Sequence, residues 1–191
     1  LNGVEEKMRK GAKVIDVGCG TGLALELLAD EFPKSTFIGY DPSSRAIAVA
    51  RERFSSYGNV ELFALGAESI PDSNDADFVM TLDCLHDMPR PDIALKAIHG
   101  ALKDDGTLLV KEIKSSATWT DNLRNPVLAL MYATSITTCL SSAMSDTDTL
   151  GLGTLGLNPE LLSVMIKEAG FTSFHQHKIE DPTNLYYEIR L

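Results

Sequence analysis

Positive charge is in short supply in this chain. Its 191 residues include 17 lysines and arginines against 27 aspartates and glutamates, which gives a net charge of −10 at pH 7. A protein that holds a nucleic-acid backbone needs a basic surface to neutralise phosphates. We therefore expect no nucleic-acid partner, and the same acidic balance favours a small molecule over a large anionic one.

Cysteines and long apolar runs are scarce as well. The three cysteines, Cys19, Cys84 and Cys139, are odd in number and lack metal-type spacing, which favours a reducing, cytoplasmic setting. The longest mostly apolar stretch, 126–140, is too short and too rich in threonine and serine to span a bilayer. No signal-peptide pattern precedes the first predicted strand, and we expect no membrane partner.

The most informative segment that is present is 14–22, with the sequence VIDVGCGTG. An apolar run containing one acid, Asp16, stops at Gly18, Gly20 and Gly22, and a helical pattern of leucines follows at once. This order predicts a strand, a tight turn and a helix. Glycines are needed where the backbone takes unusual torsions or where a ligand approaches it closely. The segment is therefore typical of a nucleoside-cofactor site.

The spacing of these glycines bears on which cofactor they would hold. The dinucleotide fingerprint places its third glycine five residues after the first, where Leu23 stands here. Asp16, two residues before the turn, is also foreign to that fingerprint, and a carboxylate there can meet a cationic group of the ligand. These features disfavour one alternative, a nicotinamide-dependent oxidoreductase. A second alternative is that the segment binds no cofactor and is a turn that only joins a strand to a helix.

Strands and helices alternate through the first 113 residues. Apolar runs predict strands at 13–17, 36–40, 59–64, 76–82 and 107–113, with helices at 22–32, 42–55 and 92–102. Such alternation predicts a parallel sheet covered on both faces. Ligands of these sheets lie beyond the carboxyl ends of the strands, so the candidates are the residues that follow each strand, Glu112 among them.

The last third breaks this rhythm. A helix-like segment starts at Asn125, and 141–157 is a serine-, aspartate- and glycine-rich stretch that predicts a lid or a disordered loop. Asn158 and Pro159 predict a helix start, and that helix ends at Gly170. Two closing strands, at 171–178 and 186–190, predict a terminal hairpin.

VIDVGCGTG closely resembles the first motif of the class I S-adenosylmethionine-dependent methyltransferases. The resemblance implies an α/β, Rossmann-like sheet of seven mostly parallel strands, with helices on both faces and an antiparallel last strand, in one domain over 1–191. It implies that the glycine loop wraps the methionine part of S-adenosylmethionine and that Asp16 helps to hold its ammonium group.

The other predicted cofactor contacts follow later strands. Asp41, directly after the second strand and 19 residues beyond Gly22, is placed to accept both ribose hydroxyls, and its alternative role is to cap the next helix. The segment around Ala67 resembles the family segment that lies beside the adenine. Together, the predicted cofactor-binding residues are Asp16, Gly18, Cys19, Gly20, Gly22, Asp41, Pro42, Ala67, Glu68 and Asp83.

Methyl transfer is an in-line displacement at a sulfonium, so its main needs are alignment and the exclusion of water. A base is required only when the acceptor must lose a proton. His86, after the fourth strand, has a suitable pKa, and we predict it as the catalytic residue. Its alternative role, shared with Asp87, is helix capping or pocket lining. His175 and His177 share one strand face without a third ligand, so we expect no metal.

Weaker resemblances in the rest of the chain point to one group within this family. The stretches DCLHDMPRP, LKDDGTLLVKEIK, NPVLALMYATSITTCLSSAM, GLGTLG, EAGF and DPTNLYY are similar to methyltransferases that carry a winged-helix domain before the catalytic domain. With Leu1 in place of Met, this predicts a fragment without its N-terminal domain, an acceptor lid at about 115–157 and a homodimer. The chain departs from that group at Thr138-Cys139, commonly His-Cys, and near Leu157, commonly Trp. A non-catalytic S-adenosylmethionine-binding domain is the remaining alternative to an enzyme with a small-molecule acceptor.

Overall fold

The computed structural model describes all residues from 1 to 191. The helices are α1 (Val4–Lys10), α2 (Leu23–Glu31), α3 (Ser44–Arg53), α4 (Pro91–Ala101), α5 (Trp119–Asn122), α6 (Leu128–Thr134), α7 (Leu140–Ala143) and α8 (Pro159–Glu168). The strands are β1 (Lys13–Val17), β2 (Thr36–Tyr40), β3 (Val60–Phe63), β4 (Ala76–Leu82), β5 (Leu102–Ile113), β6 (Ser173–His177) and β7 (Asn184–Arg190). A π-helical turn, Ser135–Cys139, joins α6 to α7, and a 3-10 turn, Leu85–Asp87, follows β4.

All seven strands belong to one sheet, in the order β3-β2-β1-β4-β5-β7-β6. The pairs from β3 to β5 are parallel, whereas β7 runs antiparallel to both β5 and β6. The predicted Rossmann-like sheet with an antiparallel last strand is therefore confirmed. The chain first builds outward from β1 to β3 and then returns to the other side of β1, so a crevice opens where β1 and β4 end.

Helices cover both faces of the sheet, as predicted. Successive residues of β1 point to opposite faces, so Val14 belongs to one apolar cluster and Ile15 to the other. The Val14 cluster includes Leu25 of α2 and Ile47 of α3, both fully buried. The other cluster is packed by α4 and α8. Each buried Leu or Ile side chain stabilises the fold by about 1.5–3 kcal/mol through the removal of apolar surface from water.

Two elements differ from the sequence-based expectation. The N-terminal helix α1 was not predicted, because only Val4 and Met8 of its seven residues are buried and so short a pattern is weak. The fifth strand begins at Leu102, not at residue 107. Leu102 pairs with Ala76 before the register shifts to Thr107 opposite Phe78, so residues 104–106 form an irregularity within one long strand.

The segment 115–157, which we call the lid segment, holds α5, α6, the π-helical turn and α7. The helix-like pattern predicted from Asn125 is confirmed, and α7 takes up the start of the predicted loop at 141–157. Ser135 Oγ accepts a hydrogen bond from the Thr154 N–H at 3.1 Å, which folds the irregular part back onto the helices. No helix in the chain has the length and apolar character that a membrane crossing requires.

Candidate functional site

The turn after β1 is built on three glycines in left-handed torsions, with φ of 75° at Gly18, 55° at Gly20 and 81° at Gly22. A Cβ on Gly18 would lie 2.8 Å from the Cys84 side chain, and one on Gly22 would lie 2.5 Å from the Phe54 ring. A Cβ on Gly20 would meet no atom within 4 Å. Packing therefore requires the outer two glycines, whereas Gly20 borders open space that a ligand can enter.

Asp41, at the end of β2, fastens this turn. Its Oδ2 accepts a hydrogen bond from the Gly20 N–H at 2.9 Å, and its Oδ1 accepts one from the Ser43 N–H at 2.8 Å. The proposed alternative of a helix cap is wrong, because Ser43 caps α3 by accepting from the Ala46 N–H. Each carboxylate oxygen retains a second lone pair, so Asp41 can still accept hydrogen bonds from a ligand.

Asp16 carries a buried carboxyl group without a protein partner. The residue is 2% exposed, and no hydrogen bond or ion pair of the chain reaches its side chain. Burial, with a smaller contribution from the charge of Asp41, raises the pKa of Asp16 to about 7. A buried carboxylate is stabilised when a cation or a set of donors pairs with it, so this position favours a positively charged group on a ligand.

A cleft of about 750 Å³ runs along the carboxyl ends of β1, β2 and β4. Six of the predicted cofactor-binding residues line it, namely Gly18, Asp41, Pro42, Ala67, Glu68 and Asp83. Asp16, Cys19, Gly20 and Gly22 lie in β1 or its turn and do not line the cleft. The Cys19 side chain is buried, and its Sγ lies 3.9 Å from the Gly20 carbonyl oxygen.

Asp83 lies immediately after β4 in an uncommon left-handed torsion, with φ of 55°. Its carboxylate accepts hydrogen bonds from Lys111 Nζ and Asn184 Nδ2, and its N–H donates to the Lys111 carbonyl at 2.8 Å. These contacts tie the end of β4 to β5 and β7. The Asp83 carboxylate could accept a hydrogen bond from a ligand only with the lone pairs that Lys111 and Asn184 leave free.

His86 is buried and paired with a buried acid. Its Nδ1 lies 2.6 Å from Glu112 Oε2, and Glu112 Oε1 accepts a hydrogen bond from the Leu85 N–H at 2.8 Å. Burial lowers the pKa of His86, but the hydrogen bond and charge of Glu112 and the charge of Asp87 outweigh it and raise the pKa to about 9. At neutral pH both ring nitrogens are therefore protonated, and His86 must lose one of these protons before it can act as a base.

The alternative role of His86 and Asp87 as helix caps is wrong. The N-terminus of α4 begins after Arg90, and no side chain accepts a hydrogen bond from its first turn. Asp87 instead lines the cleft, as the other half of that alternative proposed, whereas His86 lies behind it.

A family model described as a methyltransferase domain matches residues 15–108. These residues therefore carry a methyltransferase domain. The chain is 31% identical over 124 residues to trans-aconitate 2-methyltransferase of Variovorax paradoxus, an alignment covering 65% of this chain and 44% of that protein. It is 32% identical over 128 residues to demethylmenaquinone methyltransferase of Staphylococcus aureus, covering 66% and 50%. The chain thus spans half or less of the length of these curated relatives.

Solved structures share the fold of this methyltransferase domain. Human N-acetylserotonin methyltransferase in complex with S-adenosylmethionine matches with a TM-score of 0.66 and 18% identity, over 94% of this chain and 47% of that one. The methyltransferase CalH in complex with S-adenosylhomocysteine matches with a TM-score of 0.70 and 20% identity, over 97% and 53%. S-adenosylmethionine is the cofactor of this family.

The lid segment closes the far side of the cleft in the methyltransferase domain. Four of its residues line the cleft: Ser142, Ser145, Asp146 and Asp148. Arg90 forms an ion pair with Asp148, and the Gly153 N–H donates to the His86 carbonyl at 3.2 Å. This side of the cleft is therefore bounded by residues far apart in sequence.

Sequence reasoning missed several residues of this site. Lys111 and Asn184 hold Asp83, and Arg90 holds the lid segment. All three lie in stretches that resemble the family, but nothing in those stretches marked them as site residues. Glu112 was predicted as a candidate site residue from its position near the end of β5, but its partner was not predicted. Its pairing with His86 joins residues 26 apart in the chain, and no local pattern reports such a contact.

Proposed function

We propose that this chain transfers a methyl group from S-adenosylmethionine to a small-molecule acceptor. The observation that carries the proposal is the buried, unpartnered carboxyl of Asp16 beside a turn whose Gly20 borders open space. The ammonium group of the methionine part would neutralise that carboxylate, which otherwise opposes its own burial. The cleft volume of about 750 Å³ falls within the range of cofactor pockets.

In this proposal the residues at the strand ends each contact a different part of the cofactor. The turn from Gly18 to Gly22 offers backbone to the methionine part, and Asp41 accepts the ribose hydroxyls while it keeps its bond to the Gly20 N–H. Ala67 and Glu68 lie where the adenine would rest. When bound, S-adenosylmethionine supplies an electrophilic methyl group on a sulfonium, so the chain has to align the acceptor and exclude water.

His86 is proposed as the base for acceptors that must lose a proton, and Glu112 as the residue that positions it. The Glu112 carboxylate holds Nδ1 at 2.6 Å, which leaves Nε2 as the nitrogen that can exchange a proton. His86→Gln should lower kcat by about 10²–10⁴, the range for a general base, while the affinity for S-adenosylhomocysteine stays the same. A variant with normal kcat would remove His86 from the chemistry.

The remaining features belong to the same proposal. A net charge of −10 supports a small-molecule acceptor and argues against nucleic acid, in line with the aconitate and menaquinone-precursor acceptors in the relatives' names. Three free cysteines support a reducing, cytoplasmic location. We further propose no membrane partner, a homodimer, and membership of the group with an N-terminal winged-helix domain.

Calorimetric titration tests the cofactor directly. We expect S-adenosylmethionine and S-adenosylhomocysteine to bind at one site and NAD to give no heat of binding. Binding of NAD alone would support the oxidoreductase alternative and end this proposal. A methyl-transfer screen with labelled S-adenosylmethionine then tests turnover. Cofactor binding without turnover of any acceptor, including those of the two curated relatives, would favour a non-catalytic cofactor-binding domain.

A further inference from the structure

Three side chains of different chemistry converge behind the cleft. Single ligand atoms of His86, Asp87 and Cys139 all lie within 4.8 Å of one another, and His86 Nε2 lies 3.2 Å from Asp87 Oδ1. That aspartate oxygen is buried and makes no hydrogen bond beyond its contact with the His86 ring. A buried carboxylate oxygen is stabilised by each cation or donor that it meets, so this one favours a further ligand. We propose that His86, Asp87 and Cys139 bind a divalent cation of the zinc type.

The spacing of the three atoms suits a tetrahedral ion. Zinc bonds of about 2.0 to 2.3 Å place neighbouring ligand atoms about 3.3 to 3.8 Å apart. The His86–Asp87 separation already matches this. The Cys139 thiol lies within 4.8 Å of both atoms, so it has to move by about 1.3 Å or less. One nitrogen, one oxygen and one sulfur ligand favour zinc over magnesium or calcium, which prefer oxygen alone.

Glu112 would not contact the ion itself, but it holds the His86 ring in the orientation that a metal ligand needs. Metal-binding histidines commonly give their other ring N–H to a carboxylate, which fixes the tautomer and the ring plane. His86 Nδ1 meets Glu112 Oε2 at 2.6 Å, so Nε2 is the nitrogen turned toward Asp87 and Cys139. Asp87 also lines the cleft, which gives an ion a path of entry and leaves room for a fourth ligand.

Binding at this site would join two separate parts of the domain. His86 and Asp87 belong to the 3-10 turn after β4, whereas Cys139 ends the π-helical turn of the lid segment. A bound ion would therefore fasten the lid segment to the sheet. It would also occupy the His86 lone pair that a base needs, so zinc would inhibit methyl transfer; this consequence, unlike the binding itself, rests on the proposed function.

Zinc affinity tests the site without any methyl transfer. Metal-free protein is titrated with Zn²⁺ against a chromophoric chelator, and one equivalent should bind. Cys139→Ser and Asp87→Asn should each weaken binding more than tenfold. His175→Gln is the matched control, because His175 and His177 form a separate histidine pair on β6, with ring centroids 4.9 Å apart. It should change the affinity less than twofold. The proposal is wrong if no zinc binds, or if the control loses affinity and Cys139→Ser keeps it.

Cobalt supplies a second, spectroscopic test of the ligands. The Co²⁺-loaded protein should show a thiolate-to-cobalt charge-transfer band that Cys139→Ser removes and Cys84→Ser retains. A band that survives Cys139→Ser in a variant with normal circular dichroism would overturn the assignment. Titration of the same preparations with S-adenosylhomocysteine separates the two proposals: failure to bind it counts against the proposed function only, whereas failure to bind zinc counts against this site only.

Discussion

The glycine turn after β1 and the lid segment bound the same cleft, yet they are held in place by different kinds of contact. Backbone torsions and backbone hydrogen bonds hold the turn, including the Gly18 N–H bound to the Tyr40 carbonyl at 2.8 Å. The lid segment meets the rest of the domain through an ion pair, a few hydrogen bonds and the apolar contacts of Leu152 and Leu157 at its end. Apolar side chains on it remain exposed, among them Leu130 and Ile136, each at 66%.

This difference implies that the two regions tolerate amino-acid substitution to different degrees. The turn depends on main-chain geometry that most substitutions at its glycines would break. The lid segment depends on a few long-range contacts, and segments with few buried contacts open at low free energy. The glycine turn should therefore be intolerant of substitution, and the lid segment tolerant of it. Four predictions, taken from the largest expected effect to the smallest, test this contrast.

Gly20→Val should abolish cofactor binding, with a loss of affinity above about 100-fold, or roughly 2.7 kcal/mol. Its side chain would fill the open space beside the turn and adopt an unfavourable left-handed torsion. Calorimetry with S-adenosylhomocysteine measures the effect. Gly58→Ala is the control, since a Cβ there also meets no atom within 4 Å and lies outside the cleft. Normal affinity in Gly20→Val would place the ligand elsewhere.

Asp16→Asn should weaken cofactor binding by about 1.5–3 kcal/mol, the range for a hydrogen bond to a charged group. The same change should stabilise the free protein at high pH. Because the pKa of Asp16 is raised to about 7 in the fold, its contribution to stability is complete below about pH 4 and is lost as the pH rises through 7. Asparagine has no proton to lose.

Urea unfolding at pH 5 and pH 8 measures this contribution. The free energy of unfolding of the wild type, compared with that of Asp16→Asn, should fall by about 2–3 kcal/mol from pH 5 to pH 8. An identical pH dependence in both proteins would show that Asp16 ionises as freely in the fold as in the unfolded chain. It would also remove the argument that the burial of Asp16 favours binding of a cationic ligand group.

Asp41→Ala should weaken cofactor binding by about 1.5–3 kcal/mol, since it removes an acceptor for the ribose hydroxyls and releases the Gly20 N–H. Ser43→Ala is the matched control next to it. That variant loses the cap of α3, worth about 1 kcal/mol of stability, and should bind the cofactor normally. If the two variants bind S-adenosylhomocysteine equally well, Asp41 serves only the turn.

Asp148→Asn should have the smallest effect. Asp148 is 82% exposed, and an ion pair so accessible to water contributes little. We expect cofactor affinity to stay the same and proteolysis within the lid segment to quicken by less than about fivefold, because the pair to Arg90 restrains local opening. Asp146→Asn is the control, since its carboxylate bonds only to the adjacent Thr147. Faster cleavage in the control than in Asp148→Asn would contradict this assignment.

The same contrast explains how much could be predicted from the sequence. The bounds of β1, β2 and β4 were predicted correctly, because buried parallel strands are apolar runs that end at glycine or aspartate. The glycine turn was predicted because its torsions demand particular residues at particular spacings. Both signals are local, so they can be read without knowing which parts of the chain meet.

The rest of the site depends on residues that meet only after folding. Asn184 reaches Asp83 across 101 residues, and Arg90 reaches Asp148 across 58. Neither pair leaves a periodicity or a motif in the sequence. The convergence of Cys139 with His86 is of the same kind. The expectation of no metal rested on the spacing of the cysteines and on the pair His175 and His177, and spacing along the chain does not report this contact.

The position of β7 has a consequence for how the protein is made. This strand, Asn184–Arg190, lies inside the sheet between β5 and β6, and its Tyr187 and Ile189 are fully buried. Until residue 190 has left the ribosome, β5 presents an open edge and β6 has no neighbour to pair with. Open edges of this kind invite pairing with other chains. A nascent chain stalled shortly before this point would therefore depend on chaperones.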